Sequence, residues 1–463
     1  MGRPASIVLS ALLVLFLAAC SSGSGSKAHA PAAPSKLKPR LASIVHVLVF
    51  DGDLGRPVRG ALVRIGRHRA HADARGLARL RPRERRRSVA VYVAARGYDS
   101  TVTRVNFGRR PAAGVRIYKR SLQWPMYGAN ERRTQTQPNI HLRPPFRVVW
   151  SRGLGGLLEF PAVVSDGIAF IANAWGSVRA LRMGDGRLVW RHDVPRGKMA
   201  SSPAVVGDAV VVHGMDGHVW VLDRHNGRLL WSRWIGAPIE SSPLVWNGVD
   251  YFGSWNGDIY ALDLRTHRLR WVRSTGAKIT SSASRDGRTI FIGDYGGRIW
   301  ALSATSGRTR WVGSVNGRIY GTPAVADGRV FVPSSDGDSM TAFSTGGSRL
   351  WTVHTGAYVY SSPAVWNGRV YFGSYNGTLY CVSAATGAVI WSSGTGGSIS
   401  GSPAVVGDVV YFSNFEHRVY AFDARTGRRV LRFPDGAYVP VSGSGGRLLL
   451  HGYSRVYAVD PRR

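Results

Sequence analysis

Seven tryptophans, Trp150, Trp190, Trp231, Trp271, Trp311, Trp351 and Trp391, follow one another at intervals of 40, 41, 40, 40, 40 and 40 residues. A period of this length means one supersecondary unit repeated, each copy burying its apolar face against the next. Each unit reads Ser-Ser-Pro-Ala-Val, a turn such as Asn367-Gly368, an apolar run such as Val370 to Gly373, and a second turn such as Asn376-Gly377. A run such as Leu379 to Val382, a Gly turn and a strand ending in Trp complete it. Four short strands joined by Asn-Gly and Asp-Gly hairpins make a propeller blade. Seven complete units run from Phe160 to about Phe433, with Leu431 in the next Trp slot.

Three further strands lie in Val439 to Asp460, and an orphan outer strand, Phe146 to Trp150, precedes the first complete unit. Pairing the two closes another blade and leaves no open edge. The expectation is an all-β chain whose residues 146–463 form an eight-bladed β-propeller with a composite last blade. Ala180 with Gly186 and Trp190, Val221 with Gly227 and Trp231, Ala261 with Trp271, and Ala301 with Gly307 and Trp311 share a small residue ten positions before Trp. That pattern resembles the tryptophan-docking motif of pyrroloquinoline-quinone (quinoprotein-like) propellers. The resemblance implies that the seven tryptophans pack over neighbouring blades. Trp124-Pro125-Met126-Tyr127-Gly128 ahead of Arg132-Arg133-Thr134 looks like the lead-in of such propellers, here residues 121–145. Cys381 stands in the small-residue slot before Trp391, so it is expected to be buried filler.

Arg3 and the apolar stretch Ile7 to Leu17 have the order of an export signal, and the stretch is too short to span a bilayer. Leu17-Ala18-Ala19-Cys20 resembles the lipobox of bacterial lipoproteins. The resemblance implies a signal peptide over 1–20, lipid on Cys20 and a protein held at the extracytoplasmic face of a membrane. An ordinary cleavage site beside an incidental Cys is the alternative. Residues 21–43, rich in Ser, Gly, Pro and Ala, read as a linker. With Cys20 lipidated, Cys381 has no internal disulfide partner.

Short β-branched runs punctuated by turns fill 44–120, the pattern of a small β-sandwich. Asp51-Gly52, Gly55-Arg56-Pro57-Val58, Gly60-Ala61, Asp73 with Gly76, and Gly97-Tyr98 together resemble the carboxypeptidase regulatory-like domain, which implies no catalysis. The chain has 61 Lys and Arg, only six of them Lys, against 27 acids, a formal net charge of +34. Ten Arg fall between Arg64 and Arg87, a density suited to an anionic polymer or lipid, or simply to a solvated face. No nucleic-acid motif accompanies it, so nucleic acid is not an expected partner.

A quinoprotein dehydrogenase must hold a quinone and a cation with carboxylate and amide oxygens, a base and stacking surfaces. The adjacent cysteines that many of that family stack on the cofactor cannot exist here, and there is no Cys-x-x-Cys-His haem site. Acids such as Asp216, Asp286, Asp327 and Asp336 fall at turns, where short polar side chains serve the backbone. No His-x-His or His-Glu-x-x-His pair and no complete nucleophile elbow is present. No catalytic residue, metal or cofactor is therefore expected.

What remains is a propeller face, where the turn between the second and third strands and the link into the first emerge together. One ring of face positions runs Trp175, Met215, Trp255, Tyr295, Ser335, Tyr375 and Phe415, with Tyr453 in the shortened last blade. A second ring includes Glu240, Tyr320 and Tyr360. Aromatics in loops suit anchoring of peptides or sugars, although each could equally cap its own hairpin. An exported lipoprotein with such a propeller is similar to the BamB-type outer-membrane assembly lipoproteins, which implies a monomeric, noncatalytic scaffold binding a peptide or envelope protein. A cell-wall glycan or anionic-polymer binder and a quinone-dependent dehydrogenase are the other readings.

Overall fold

In the computed structural model, residues 44–82, 88–107, 112–194 and 197–462 are described. The signal sequence, Cys20, the linker and Arg83 to Arg87 lie outside them. The described chain is built of strands, with a single turn of 3-10 helix at Arg120–Leu122.

The N-terminal strands form two sheets. Leu77–Leu80, Val45–Asp51 and Ala112–Ile117 make one, and His68–His71, Leu62–Ile65, Ser88–Ala94 and Thr101–Asn106 the other. Alternation sets the inward face: Val45, Val47 and Val49 of one sheet meet Val63, Ile65, Val91 and Val93 of the other in one core. His68–His71, polar and half exposed, is the strand that apolar patterning did not reveal.

Seven four-strand units follow, over 163–193, 204–234, 244–274, 284–314, 324–354, 364–394 and 404–433, each antiparallel in chain order. In the last sheet Val441–Ser444, Arg447–His451 and Arg455–Pro461 take as their fourth strand Phe146–Gly153, which pairs antiparallel with Arg455–Pro461. Its inner strand Val441–Ser444 lies against Val163–Ser165 of the first unit, so the propeller closes.

The repeated Ser-Ser-Pro explains how neighbours are held. The first hydroxyl stays within its sheet: Ser201 Oγ donates to the His213 carbonyl and Ser281 Oγ to that of Gly293, both at 3.0 Å. The second reaches the previous sheet. The N–H groups of Ser202, Ser242, Ser282, Thr322 and Ser362 donate in turn to Oγ of Ser242, Ser282, Thr322 (Oγ1), Ser362 and Ser402 at 2.8–3.0 Å.

The tryptophans fasten the outer edge. Trp150 Nε1 donates to the Met183 carbonyl at 2.9 Å, and Trp190, Trp271, Trp311, Trp351 and Trp391 repeat the bond on the following sheet. Each of these six rings lies over a glycine of that sheet, such as Gly186 under Trp150. Trp231 differs: His267 fills the glycine slot at φ +59° and stacks on the indole at 4.3 Å. Cys381 is fully buried beside Trp391 in the inter-sheet core, and burial pushes its thiol up to about 11.

The lead-in crosses the channel and bonds every sheet. The carbonyls of Trp124, Pro125, Glu131, Arg132, Thr134 and Gln135 accept from the N–H groups of Val164, Val205, Arg285, Val325, Val365 and Val405. The Leu122 carbonyl accepts from Gly445, and the Arg133 guanidinium donates to the Pro243 carbonyl. Ala129, Arg133 and Gln135 adopt positive φ to make these turns, a strained conformation for residues with side chains. The segment is thus a plug across the channel.

The sandwich packs at the end of the propeller where the first-to-second and third-to-fourth strand turns emerge. Gln123 Nε2 donates to Asp53 Oδ2 at 2.8 Å, and the Tyr118 phenol covers Gly167 so closely that a Cβ there would meet its oxygen at 2.5 Å. Burial raises the Asp53 carboxyl to about 6.

Candidate functional site

With the sandwich and plug at one end, a cup of about 350 Å³ is left at the other. Its floor is Tyr127 of the plug, whose phenol oxygen hydrogen-bonds Ser362 Oγ at 3.0 Å and Ser402 Oγ at 3.2 Å. Ser282, Thr322, Ser362 and Ser402, the same hydroxyls that link the sheets, line its lower wall. Each of these oxygens already accepts an N–H from the neighbouring sheet, so this wall is polar but held in place.

The upper wall is divided. On one side Tyr320, Tyr360, Tyr375, Phe415 and Tyr438 form a continuous arc. Successive ring centroids lie 5.3, 5.1, 5.8 and 5.7 Å apart, largely edge to face. Across from it stand Glu159 and Glu240. The buried Glu240 accepts from Tyr320 Oη at 2.7 Å and Trp255 Nε1 at 3.0 Å, one bond to each oxygen. Burial, then the charge of Glu240, raises the Glu159 carboxyl above its ordinary value. Burial and the same carboxylate push the Tyr320 phenol far up, so it donates and does not ionise.

Of the expected face residues, Glu240, Tyr320, Tyr360, Tyr375 and Phe415 line the cup. The other six positions of the first ring, Met215 among them, do not. Trp175 is 68% exposed and lies against Gly156; Tyr453, also exposed, meets the ring of His417 edge-on. Trp255 and Tyr295 flank Lys278, whose Nζ sits 3.4 Å and 5.0 Å from their centroids. Ser335, in the same ring of positions, is buried. Tyr375 and Phe415 occupy the same turn position as these residues and do line the cup, so equal sequence spacing does not make equal access.

Residues that spacing did not single out are Tyr127, Glu159, Phe160, Thr280 and Tyr438. Glu159 and Phe160 stand immediately before Pro161, where other units carry Ser-Ser, and Tyr438 stands before Val439-Pro440. Counting eight residues back from the glycine of the following turn, as from Gly248 to Glu240, reaches Glu159 from Gly167 and Tyr438 from Gly446. Nothing local marks Tyr127, which reaches the cup only because the plug folds under it.

No Lys or Arg is among the described residues lining the cup. Groups of three or more metal-ligating side chains are also absent among the described residues. Of the groups that a quinone and its cation require, the cup supplies the carboxylates of Glu159 and Glu240 but, among the described residues, no amide side chain and no Lys or Arg, so this donor set does not fit that group. Lone Cys381, buried at a sheet-to-sheet contact, offers no stacking surface in the cup.

The family model described as outer membrane protein assembly factor BamB matches residues 147–285 and 255–463. BamB of Yersinia pestis is 33% identical over 122 residues, 23% of this chain and 30% of its own length. A 1-butanol dehydrogenase (cytochrome c) of Thauera butanivorans is 28% identical over 160 residues, 28% of this chain and 23% of its own. The chain thus spans less than a third of either relative. The crystal structure of BamB from Moraxella catarrhalis superposes with a TM-score of 0.60 at 18% identity, over 69% of this chain and 99% of that one, a likeness of fold.

Proposed function

Because the chain belongs to the outer membrane protein assembly factor BamB family, we propose that it is a noncatalytic scaffold of the cell envelope. It is anchored through lipid on Cys20 and docks an extended peptide or an envelope protein at the cup. The observation that carries this reading is the arc from Tyr320 to Tyr438. These aromatics face an open cup, whereas Tyr371 and Tyr411 of the same sheets are spent on the core. Ordered rings present large contact area at low entropic cost, as interface anchors do. The dehydrogenase relative keeps redox chemistry as a comparison, but among the described residues the cup has no amide or cationic side chain to hold a quinone.

The test is crosslinking of the lipidated protein in the envelope, followed by recovery of its partners. The Tyr360→Ala/Tyr375→Ala double variant is expected to lose a discrete partner. Trp175→Ala/Tyr453→Ala, outside the cup, is expected to retain most of it. Recovery of the same proteins with all three would overturn docking at the cup.

A second reading, binding of an anionic cell-wall polymer, is favoured by one observation. Arg64, Arg67, Arg69, Arg75, Arg79 and Arg81 of the sandwich are all exposed, and among described residues only Arg79 has an acidic partner, Asp73 at 3.6 Å. Polymer binding there would fall steeply with ionic strength, whereas docking on aromatic anchors would not.

A further inference from the structure

The position that precedes the inner strand carries, in order around the cup, Glu159, Ala200, Glu240, Thr280, Tyr320, Tyr360, Ser400 and Tyr438. Acids and aromatics are therefore segregated: carboxylates on the first and third sheets, π-faces on the fifth to eighth. Both acids line the cup, with Ala200 between them in the order around the ring. In a chain of net charge +34 this is a local reversal of sign. Of the cations two residues before this position, Lys278 lies over Trp255, Arg318 donates to Asp336 at 2.9 Å, and the exposed Lys198 on the second sheet does not line the cup.

Two further features separate this cup from a mere acidic patch. Glu240 is held in place by two neutral donors, Tyr320 and Trp255, so neither its position nor its charge depends on a cation of the protein's own. Glu159, half-buried beside it, receives no hydrogen bond from any described residue. Crowding two carboxylates at a partly dry wall is unfavourable unless a cation enters between them. The opposite wall supplies what a cation on an aliphatic stem prefers, aromatic faces for both charge and methylenes. The volume, about 350 Å³, lies at the small end of ligand pockets, roughly 300–1,000 Å³.

We infer that the cup is a receptor for one ammonium or guanidinium group on an aliphatic stem, gripped between Glu159 and Glu240 and the wall formed by Tyr320, Tyr360, Tyr375, Phe415 and Tyr438. This rests on the docking reading and deepens it: the peptide that docks inserts a Lys or Arg side chain. The group contacts both carboxylates through charge-assisted hydrogen bonds, and its stem crosses the Tyr360 and Tyr375 rings. Anionic ligands are excluded by the same carboxylates.

The experiment is calorimetric titration of the full folded chain with capped tetrapeptides that differ at one position: arginine, lysine, citrulline, norleucine or glutamate. Butylamine and methylguanidine form a separate arm that distinguishes a free amine from a side chain. The arginine and lysine peptides are expected to bind about tenfold or more tightly than citrulline and norleucine, and glutamate not at all. Glu159→Gln and Glu240→Gln should each weaken the cationic peptides about tenfold while leaving the melting temperature near that of the parent. Tyr360→Phe should retain binding and Tyr360→Leu should lose much of it. Small amines binding as tightly as the peptides would assign the site to free amines. Equal affinity for arginine and citrulline, no loss in either Gln variant, or no binding by any peptide would each overturn the inference. An envelope partner lost on Tyr360→Ala/Tyr375→Ala but kept by both Gln variants would sink the cation and leave docking intact. Cationic peptides bound in vitro with no envelope partner would do the reverse.

Discussion

The guanidinium of Arg133 donates to the carbonyl of Pro243 at 2.7 Å, joining residues 110 positions apart at the centre of the propeller. The same group donates to the carbonyls of Ala283 and Tyr127, and no part of the side chain reaches solvent. Burial holds the guanidinium down to about 10, still charged at neutral pH. Arg133→Met is expected to lower stability by about 3–5 kcal/mol, because buried carbonyls lose charged donors that apolar volume cannot replace. Arg132→Met, which breaks only the exposed pair with Asp286, should cost about 1 kcal/mol or less. Thermal melts of the two variants check this; equal losses would mean that the plug is not what ties the sheets.

A second prediction concerns the outer edge. Gly186 has φ +66°, and a Cβ on it would meet the Trp150 ring at 2.6 Å, whereas Gly207 has φ +55° and open space around it. Gly207→Ala should cost only the backbone strain, about 1 kcal/mol. Gly186→Ala should cost that and roughly 1–3 kcal/mol more as the indole is displaced from the Met183 carbonyl. Denaturant midpoints for the pair measure the difference, and tryptophan fluorescence should shift only in the Gly186 variant.

Acid should act on the ring closure through His451. Its Nε2 accepts from the Ala162 N–H at 3.1 Å, across the junction of the last and first sheets, and burial holds its pKa down to about 4. Unfolded, the same imidazole titrates near 6.5. Its contribution is therefore whole above pH 6.5 and is lost as pH falls towards 4, amounting to about 3 kcal/mol. Asp53 opposes it: raised to about 6 by burial, it destabilises the folded state above that pH and is relieved as pH falls to 3.8. His451→Gln should flatten the acid loss, and Asp53→Asn should steepen it. Melting temperatures from pH 7.5 to 4 would show whether the two variants move the curve in opposite directions.

The thiol of Cys381 should be silent in the native protein, since it is fully buried and its pKa stands at about 11. A disulfide reagent at pH 8 is expected to leave it unmodified until denaturant is added. Cys381→Ala, which keeps a small apolar group in the slot, should cost about 1 kcal/mol or less. Rapid native labelling would contradict the packing.

Periodicity carried most of the architecture because every repeat imposes the same local demands. Asn367-Gly368 must turn, Val370 to Gly373 must be buried, and Trp391 must cover a glycine of the next sheet, so these residues announce themselves at fixed spacing. The pairing of Phe146–Gly153 with Arg455–Pro461 was legible for the same reason, since a strand missing at one end and spare at the other can only meet by closure. The site was legible in part. Glu240, Tyr320, Tyr360, Tyr375 and Phe415 were found by register, while Trp175 and Tyr453 share that register and miss the cup.

The difference lies in what each ring packs against, Gly156 for Trp175 and His417 for Tyr453 but Tyr360 for Tyr375, and no spacing along the chain encodes it. The same holds for Tyr127, Leu122 and Arg133. Their segment has no period, and its bonds run to eight separate sheets that are neighbours of it only after the ring has closed. By itself the sequence determined the repeating strand unit, its tryptophan docking and the closure of the ring, because these depend on contacts within a unit or between adjacent ones. Tertiary structure alone decided that the channel has a floor and that two carboxylates face an arc of rings, because those relations join parts of the chain that only the assembled propeller brings together.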